Sequence, residues 1–380
     1  MRDFLFTSES VSEGHPDKVC DKISDAVLDL YLSQDRNARV AVETLATTKA
    51  VILAGEVSTV ANITNTDVDR RVRAVIDDIG YHQENFNSSI TILNLIHAQS
   101  PDIAMGVDIG GAGDQGIMFG YAKKEGNFET NYMPMAIYLA NKILENLRQA
   151  RKTGKIEGLE PDAKSQVTVI YKNNLPVGIS KIVVSSQHSK DLTQQDVRKL
   201  ILPIIEETLP EGWMPKDEDI LINPTGKFVI GGPDGDTGLT GRKIIVDNYG
   251  GYAPHGGGNF QGKDPTKVDR SAAYMARYLA KNIVAADLAS ECTIQLSYAI
   301  GVAQPLSIFI DCHETNTVAE ELILHKISRL DLTPQGIINT LGLRNPIYYP
   351  TAAYGHFGKE YKNDGFFTWE NLNLVEYFKH

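Results

Sequence analysis

Polar and apolar positions alternate with period two in three stretches of this chain, the mark of strands buried on one face. In the second stretch Val167, Val169 and Tyr171 form one row, and Thr168 and Ile170 the other. Each stretch breaks once and reads as strand, turn, strand. The breaks lie at Thr47-Thr48-Lys49 within residues 39–58, at Asn173-Asn174 within 165–186, and at a short link within 292–312. A spacing of three to four precedes every hairpin and predicts an amphipathic helix. Val19, Ile23, Val27 and Leu30 carry the first; Ile137, Ala140, Ile143, Leu144 and Leu147 the second; Ala272, Met275, Leu279 and Ile283 the third. A second helical pattern follows each hairpin, at 66–80, 193–209 and 317–330, and then a strand-like run, at 89–96, 219–224 and 346–353.

The hairpins begin 126 and 127 residues apart, about one third of the 380-residue chain. The order helix, hairpin, helix, strand thus occurs three times, and such a period decides the fold. It predicts an α/β protein of the α+β kind, with three similar domains that are each a sheet covered by helices on one face. The expected boundaries are 1–104, 112–230 and 231–380.

Charge narrows the class of partner. With 37 Lys and Arg against 48 Asp and Glu, the net charge of −11 argues against nucleic acid and anionic membrane surfaces. No apolar run approaches the ~18 residues of a membrane span, and the first residues carry neither a signal-peptide core nor an Arg-rich presequence. Cys20, Cys292 and Cys312 lie far apart with no CxxC pair, which excludes a disulfide framework or zinc ribbon and fits a cytoplasmic location.

The links between repeats hold most of the glycine and the unusual polar residues. Ser12-Glu13-Gly14-His15-Pro16-Asp17-Lys18 opens the first helix, with Pro16 suited to the first helical position and His15 to the cap. Free N–H groups, an imidazole and an ammonium at a helix start suit a phosphate, and Asp17 adds a carboxylate suited to Mg2+. Gly111, Gly113 and Gly116 spell GxGxxG, but the strand-like IMFGYA follows where a dinucleotide fold needs a helix. Gly241-Arg242-Lys243-Ile244 imitates a Walker loop, yet Arg242 interrupts it and Ile244 stands where Ser or Thr would bind Mg2+. Adjacent Arg and Lys after a Gly-rich turn still suit an anion. Residues 225–270 hold six Lys or Arg and five Asp around Gly256-Gly257-Gly258, a near-balance that suits a polyphosphate held by cations and carboxylate-bound Mg2+. Glu43 and Glu56 interrupt the first hairpin, where an acidic residue either faces solvent or binds a cation or ammonium group.

Taken together, TSESVSEGHPDK (7–18), QSPDI (99–103), GAGDQGIMFGY (111–121), PDAKSQV (161–167), GLTGRKIIVD (238–247), KVDRSAAY (267–274) and AAYGHFG (352–358) closely resemble the S-adenosylmethionine synthetase (methionine adenosyltransferase) family of the bacterial–eukaryotic type. The resemblance implies pseudo-threefold symmetry and a homodimer with shared active sites, paired into a homotetramer. It implies that methionine sulfur attacks the ribose C5′ of ATP, displacing triphosphate that is then cleaved to PPi and Pi, with K+ and about two Mg2+ per site. It places His15 at the ribose–triphosphate junction, Lys164 beside the leaving group, and Arg242, Lys243 and Lys263 on the polyphosphate. Asp17 and Asp269 match positions associated with Mg2+, and Glu43 the K+ ligand. Glu56, Gln99, Asp236 and Lys267 match methionine-binding positions, Asp162, Lys227, Phe228, Asp236 and Asn259 match ATP contacts, and Asp102 and Asp114 are polar positions near the substrates. Three departures stand out: only Ile109-Gly110 remains where the family has a longer closing segment, Asn259 and Gln261 replace smaller residues, and Lys227 stands where Arg is frequent. The rival reading is another ATP-dependent transferase, such as a kinase built on the same anion loops.

Overall fold

The computed structural model describes residues 2–99 and 111–380. The first copy of the repeat runs β1 (Phe4–Val11), α1 (Pro16–Gln34), the hairpin β2 (Arg39–Thr47) and β3 (Ala50–Ser58), α2 (Asn65–Ile79) and β4 (Thr91–Ala98). The second runs β5 (Gly116–Lys123), α3 (Met135–Lys152), the hairpin β6 (Leu159–Lys172) and β7 (Leu175–His188), α4 (Gln194–Thr208) and β8 (Ile220–Ile222). The third runs β9 (Gly238–Leu239), α5 (Val268–Ala285), the hairpin β10 (Glu291–Tyr298) and β11 (Ser307–Asp311), and α6 (Glu320–Ile327). Local chemistry explains the boundaries. Thr64 with Asp67, and Thr193 with Asp196, close reciprocal capping boxes at the starts of α2 and α4. Asn173 and Asn174 both take left-handed φ, as a two-residue turn between twisted strands requires.

The repeats share a sheet plan. In the first, β9, β2, β3 and β4 lie side by side; in the second, β1, β6, β7 and β8. The hairpins are antiparallel, and β4 and β8 return parallel to β3 and β7 after a helix. The third sheet is β11, β10 and β5. Its expected closing strand at 346–353 does not form. Pro350 has no N–H to give, the N–H groups of Tyr348 and Tyr349 are taken by the Asp29 carboxylate, and Tyr349–Thr351 makes a single 3-10 turn instead.

The segments leading into the repeats are strands of neighbouring sheets. β1 precedes the first repeat but pairs with β6 of the second; β5 precedes the second but pairs with β10 of the third; β9 precedes the third but pairs with β2 of the first. The exchange is cyclic and locks the three copies together. Each sheet buries one face under its helices, Val40 and Val42 against Val19, Ile23 and Val27 in the first, and Val167, Val169 and Ile182 against Leu139 and Ile143 in the second. Where β5 crosses α5 the backbones touch: a Cβ on Gly120 would lie 1.9 Å from the carbonyl carbon of Ala276. The opposite sheet faces leave Leu93, Leu95 and Phe309 about half exposed. Among the described residues no helix is long and apolar enough to cross a membrane.

Candidate active site

His15 caps α1, with Pro16 in the first turn as the sequence suggests. Its Nδ1 accepts the Asp17 N–H at 3.1 Å, so the ring proton sits on Nε2, which is left free to donate. β9 passes so close over this turn that a Cβ on Gly238 would lie 2.0 Å from the Pro16 carbonyl oxygen. That approach delivers Arg242 and Lys243 to Asp17. The Asp17 Oδ1 accepts the Leu239 N–H at 3.0 Å and lies 3.8 Å from Arg242, while Oδ2 binds Lys243 Nζ at 2.6 Å. Lys164 enters from β6, opposite Val11 of β1, with its side chain exposed.

This arrangement sets the charges. Burial, then the Lys243 and Lys164 ammonium groups, push His15 down to about 3 against the pull of Asp17, so the imidazole is neutral. Burial works to raise Asp17, but the Lys243 and Leu239 hydrogen bonds outweigh it and hold the carboxyl below its usual range. Asp162 differs: burial raises it to about 6, although its Oδ2 accepts the Gly232 N–H at 2.8 Å. Its other oxygen, Oδ1, is buried without a hydrogen-bond partner, an acceptor waiting for a donor such as a hydroxyl. Phe228 lies on the same wall: its N–H reaches His188 Nε2 at 3.1 Å and its ring abuts Gly231. Lys227 and Asp236 are exposed nearby in sequence.

A second set of residues gathers on the 256–269 segment and the β2–β3 hairpin. Lys263 Nζ binds Asp269 Oδ2 at 2.6 Å, and Lys267 binds Asp264 at 2.5 Å. Lys263 bridges to Ala41 of β2, which pairs with Glu56 of β3; Glu43 lies two residues along on the same outward face. Gln99 Oε1 is a further buried oxygen without a partner. The Asn259 amide turns back onto its own loop, bonding the Gln261 backbone N–H and carbonyl. Asp114 is exposed and accepts the Gln115 N–H. Asp102 and the short segment at 107–110 lie outside the described residues. Among the described residues, no hydrogen bond or ion pair joins the side chains of the first set to those of the second.

The sequence reading missed one organising feature. Asp17, Asp21, Asp25 and Asp29 recur every fourth residue along α1, and all four are buried. A spacing of four keeps them on one helix face. They accept backbone N–H groups from three chain segments: Asp17 and Asp21 from Leu239 and Gly241 (2.9 Å) of one turn, Asp25 from Gly262 at 2.9 Å, and Asp29 from Tyr348 and Tyr349. The four-residue spacing was visible in the sequence, but on an amphipathic helix it reads as a solvated polar face. Burial pushes both Asp21 and Asp29 up to about 7.

No group of three His, Cys, Asp or Glu among the described residues is placed to hold a metal unaided. Single carboxylates at Asp17 and Asp269 nevertheless suit Mg2+, which keeps most of its oxygen ligands from water and substrate phosphate.

Comparison with known proteins places all three parts of the chain. Residues 3–101, 109–228 and 230–371 match the family models described as the N-terminal, central and C-terminal domains of S-adenosylmethionine synthetase. The chain is 57% identical over 385 residues to the S-adenosylmethionine synthase of Parvibaculum lavamentivorans, covering 99% of this chain and 98% of that protein. It is 57% identical over 389 residues to that of Zymomonas mobilis, again covering 99% and 98%. It is 55% identical to that of Maricaulis maris, covering 98% and 97%.

Proposed function

The chain belongs to the S-adenosylmethionine synthetase family and is an enzyme of it, and from that premise we propose how its residues carry the reaction. The methionine sulfur attacks C5′ of ATP, the C5′–O5′ bond breaks, and triphosphate leaves with the bonding electron pair. Water then cleaves it to PPi and Pi. Thioether sulfur is nucleophilic without deprotonation, so the demand on the protein is to stabilise charge on the departing triphosphate.

The observation that carries this reading is the neutral His15 at the start of α1, its donor Nε2 free and its ring under the charge of Lys243 and Lys164. A neutral imidazole donates to the bridging oxygen without competing with it for a proton. In the free protein Lys243 and Lys263 are paired with Asp17 and Asp269. Arriving phosphate oxygens exchange those partners: each ammonium turns to the triphosphate and each carboxylate becomes available to a cation. Mg2+ bound with the triphosphate beside Asp17 and Asp269 would neutralise part of its charge. The buried acceptors of Asp162 and Gln99 suit donors of the nucleoside and of methionine. Glu43 is the carboxylate for K+, and Glu56, Lys267 and Asp236 lie with the methionine.

Two sets of residues with no side-chain hydrogen bond or ion pair between them among the described residues support a homodimer whose sites take one set from each copy; the family resemblance adds the pairing of two such dimers into a tetramer. Incubating the protein with ATP, methionine, Mg2+ and K+ tests the reaction. S-adenosylmethionine, PPi and Pi are the expected products; ADP would assign a kinase instead.

A further inference from the structure

One buried circuit of hydrogen bonds and ion pairs lies beneath the cationic loops. Lys18, wholly buried, binds Asp21 at 2.9 Å and also Asp247. Asp247 gives its second oxygen to the Gln261 side-chain amide at 2.8 Å. A carboxylate accepts only, so this bond fixes the Gln261 amide, and its second N–H points to His356 Nε2 at 2.8 Å. His356 is fully buried and held neutral, by burial first and then by Arg270 and Lys18. Its Nε2 therefore accepts, and its Nδ1–H donates to Tyr274 at 2.8 Å. Arg270 bonds Tyr274 and makes a two-pronged pair with Asp25, which holds the Gly262 N–H. At the other end Asp21 holds the Gly241 N–H at 2.9 Å.

The two ends of the circuit are the residues just before Arg242 and Lys263. Gly241 has φ +81°, and a side chain there would meet Asn259 at 2.8 Å; its own N–H is held by Asp21, while Asp17 and Thr44 hold the N–H groups of Leu239 and Thr240 just before it. We propose that Asp21 is a positioning residue for the triphosphate chemistry, fixing the aim of Arg242 and Lys243 through Gly241, and that Gln261 holds it in place from the far side of the Lys18–Asp247 pair. The inference rests on the reaction proposed above. Lys18 has one ammonium for two buried carboxylates, and the Gln261 amide is the second donor that lets both stay. A shorter residue at 261 leaves an Asp247 oxygen unpaired, draws Lys18 toward it, and loosens Asp21 and the Gly241 turn.

The test compares Asp21→Ala, Asp21→Asn and Gln261→Ser with the wild type in three assays: S-adenosylmethionine formation, hydrolysis of added tripolyphosphate, and amide hydrogen exchange over residues 239–243 without substrate. A misaimed catalytic group costs about 10²-fold. Asp21→Ala is expected to lower kcat by about that factor in both reactions, with KM for methionine within about twofold. Asp21→Asn keeps an acceptor for Gly241 and recovers about tenfold of the loss. Gln261→Ser, separated from Gly241 by Asp247, Lys18 and Asp21 along the circuit, lowers kcat by about threefold to tenfold, and both Asp21→Ala and Gln261→Ser speed exchange at Gly241. A folded Asp21→Ala with wild-type kcat, an Asn variant no better than Ala, or unchanged exchange at Gly241 in Gln261→Ser each overturns the proposal. Wild-type product formation reports on the reaction itself, whereas exchange at Gly241 reports on the anchor whatever that reaction is.

Discussion

Burial and the two ammonium groups that hold His15 near 3 remove it from the list of acids and bases that titrate during turnover. The acid limb of kcat/KM should therefore have the same shape in the wild type and in His15→Asn, whose amide retains a donor and a helix cap. A limb near pH 6.5 that the variant loses would contradict a neutral donor. His15→Ala, which keeps neither group, should lose about 10²-fold in kcat. Lys164 stands apart because it is exposed and makes no close ion pair among the described residues. Lys164→Ala should bind ATP within a fewfold of the wild type while kcat falls about 10²–10³-fold; near-normal turnover would remove its assigned role. Residues of this kind were legible in the sequence because they sit in short motifs whose chemistry is local: a cap, an Arg-Lys pair, a Gly-rich loop. The buried circuit was not. Lys18, Asp21 and Asp247 look like ordinary charged positions until the packing shows that no water reaches them.

At the level of elements, α1 serves as an organiser as well as a core helix. One face packs Val19, Ile23 and Val27 on the first sheet, and another presents four carboxylates to three separate chain segments. Period and polarity foretold the three leading helices, the three hairpins and the closing strands of the first two copies. They misassigned 346–353 because its aromatic and β-branched residues favour a strand, while the Asp29 carboxylate offers its N–H groups a nearer partner. They also gave no hint of pairing between copies, since a strand's pattern shows which face it buries but not whose neighbour it is. β5 shows what that pairing demands. Gly120→Ala forces a methyl into the α5 backbone and should destabilise the fold by about 3 kcal/mol, read as a lowered unfolding midpoint. An unchanged midpoint would mean that β5 and α5 can separate without cost.

For the whole molecule, the net charge of −11 conceals local balance, with Lys243 paired to Asp17 and Lys263 to Asp269. If each site joins two chains, inactive variants from opposite halves should rescue one another. A mixture of His15→Ala and Lys263→Ala chains, refolded or co-expressed, contains mixed dimers with one intact site. Activity should then rise well above that of either variant alone; no rise would confine each site to one chain. The cyclic exchange of strands has a further consequence, for biosynthesis. Phe4 pairs with Tyr171, and Gly116 with Tyr298, so β1 and β5 leave the ribosome long before the strands they join. At about 5–20 residues per second, β1 waits roughly ten to thirty seconds with Phe4 and Phe6 unshielded. The nascent chain thus cannot lock in its copies one after another. Its first strand remains a client for chaperones until translation has passed the middle of the message, and the ring closes only near the end.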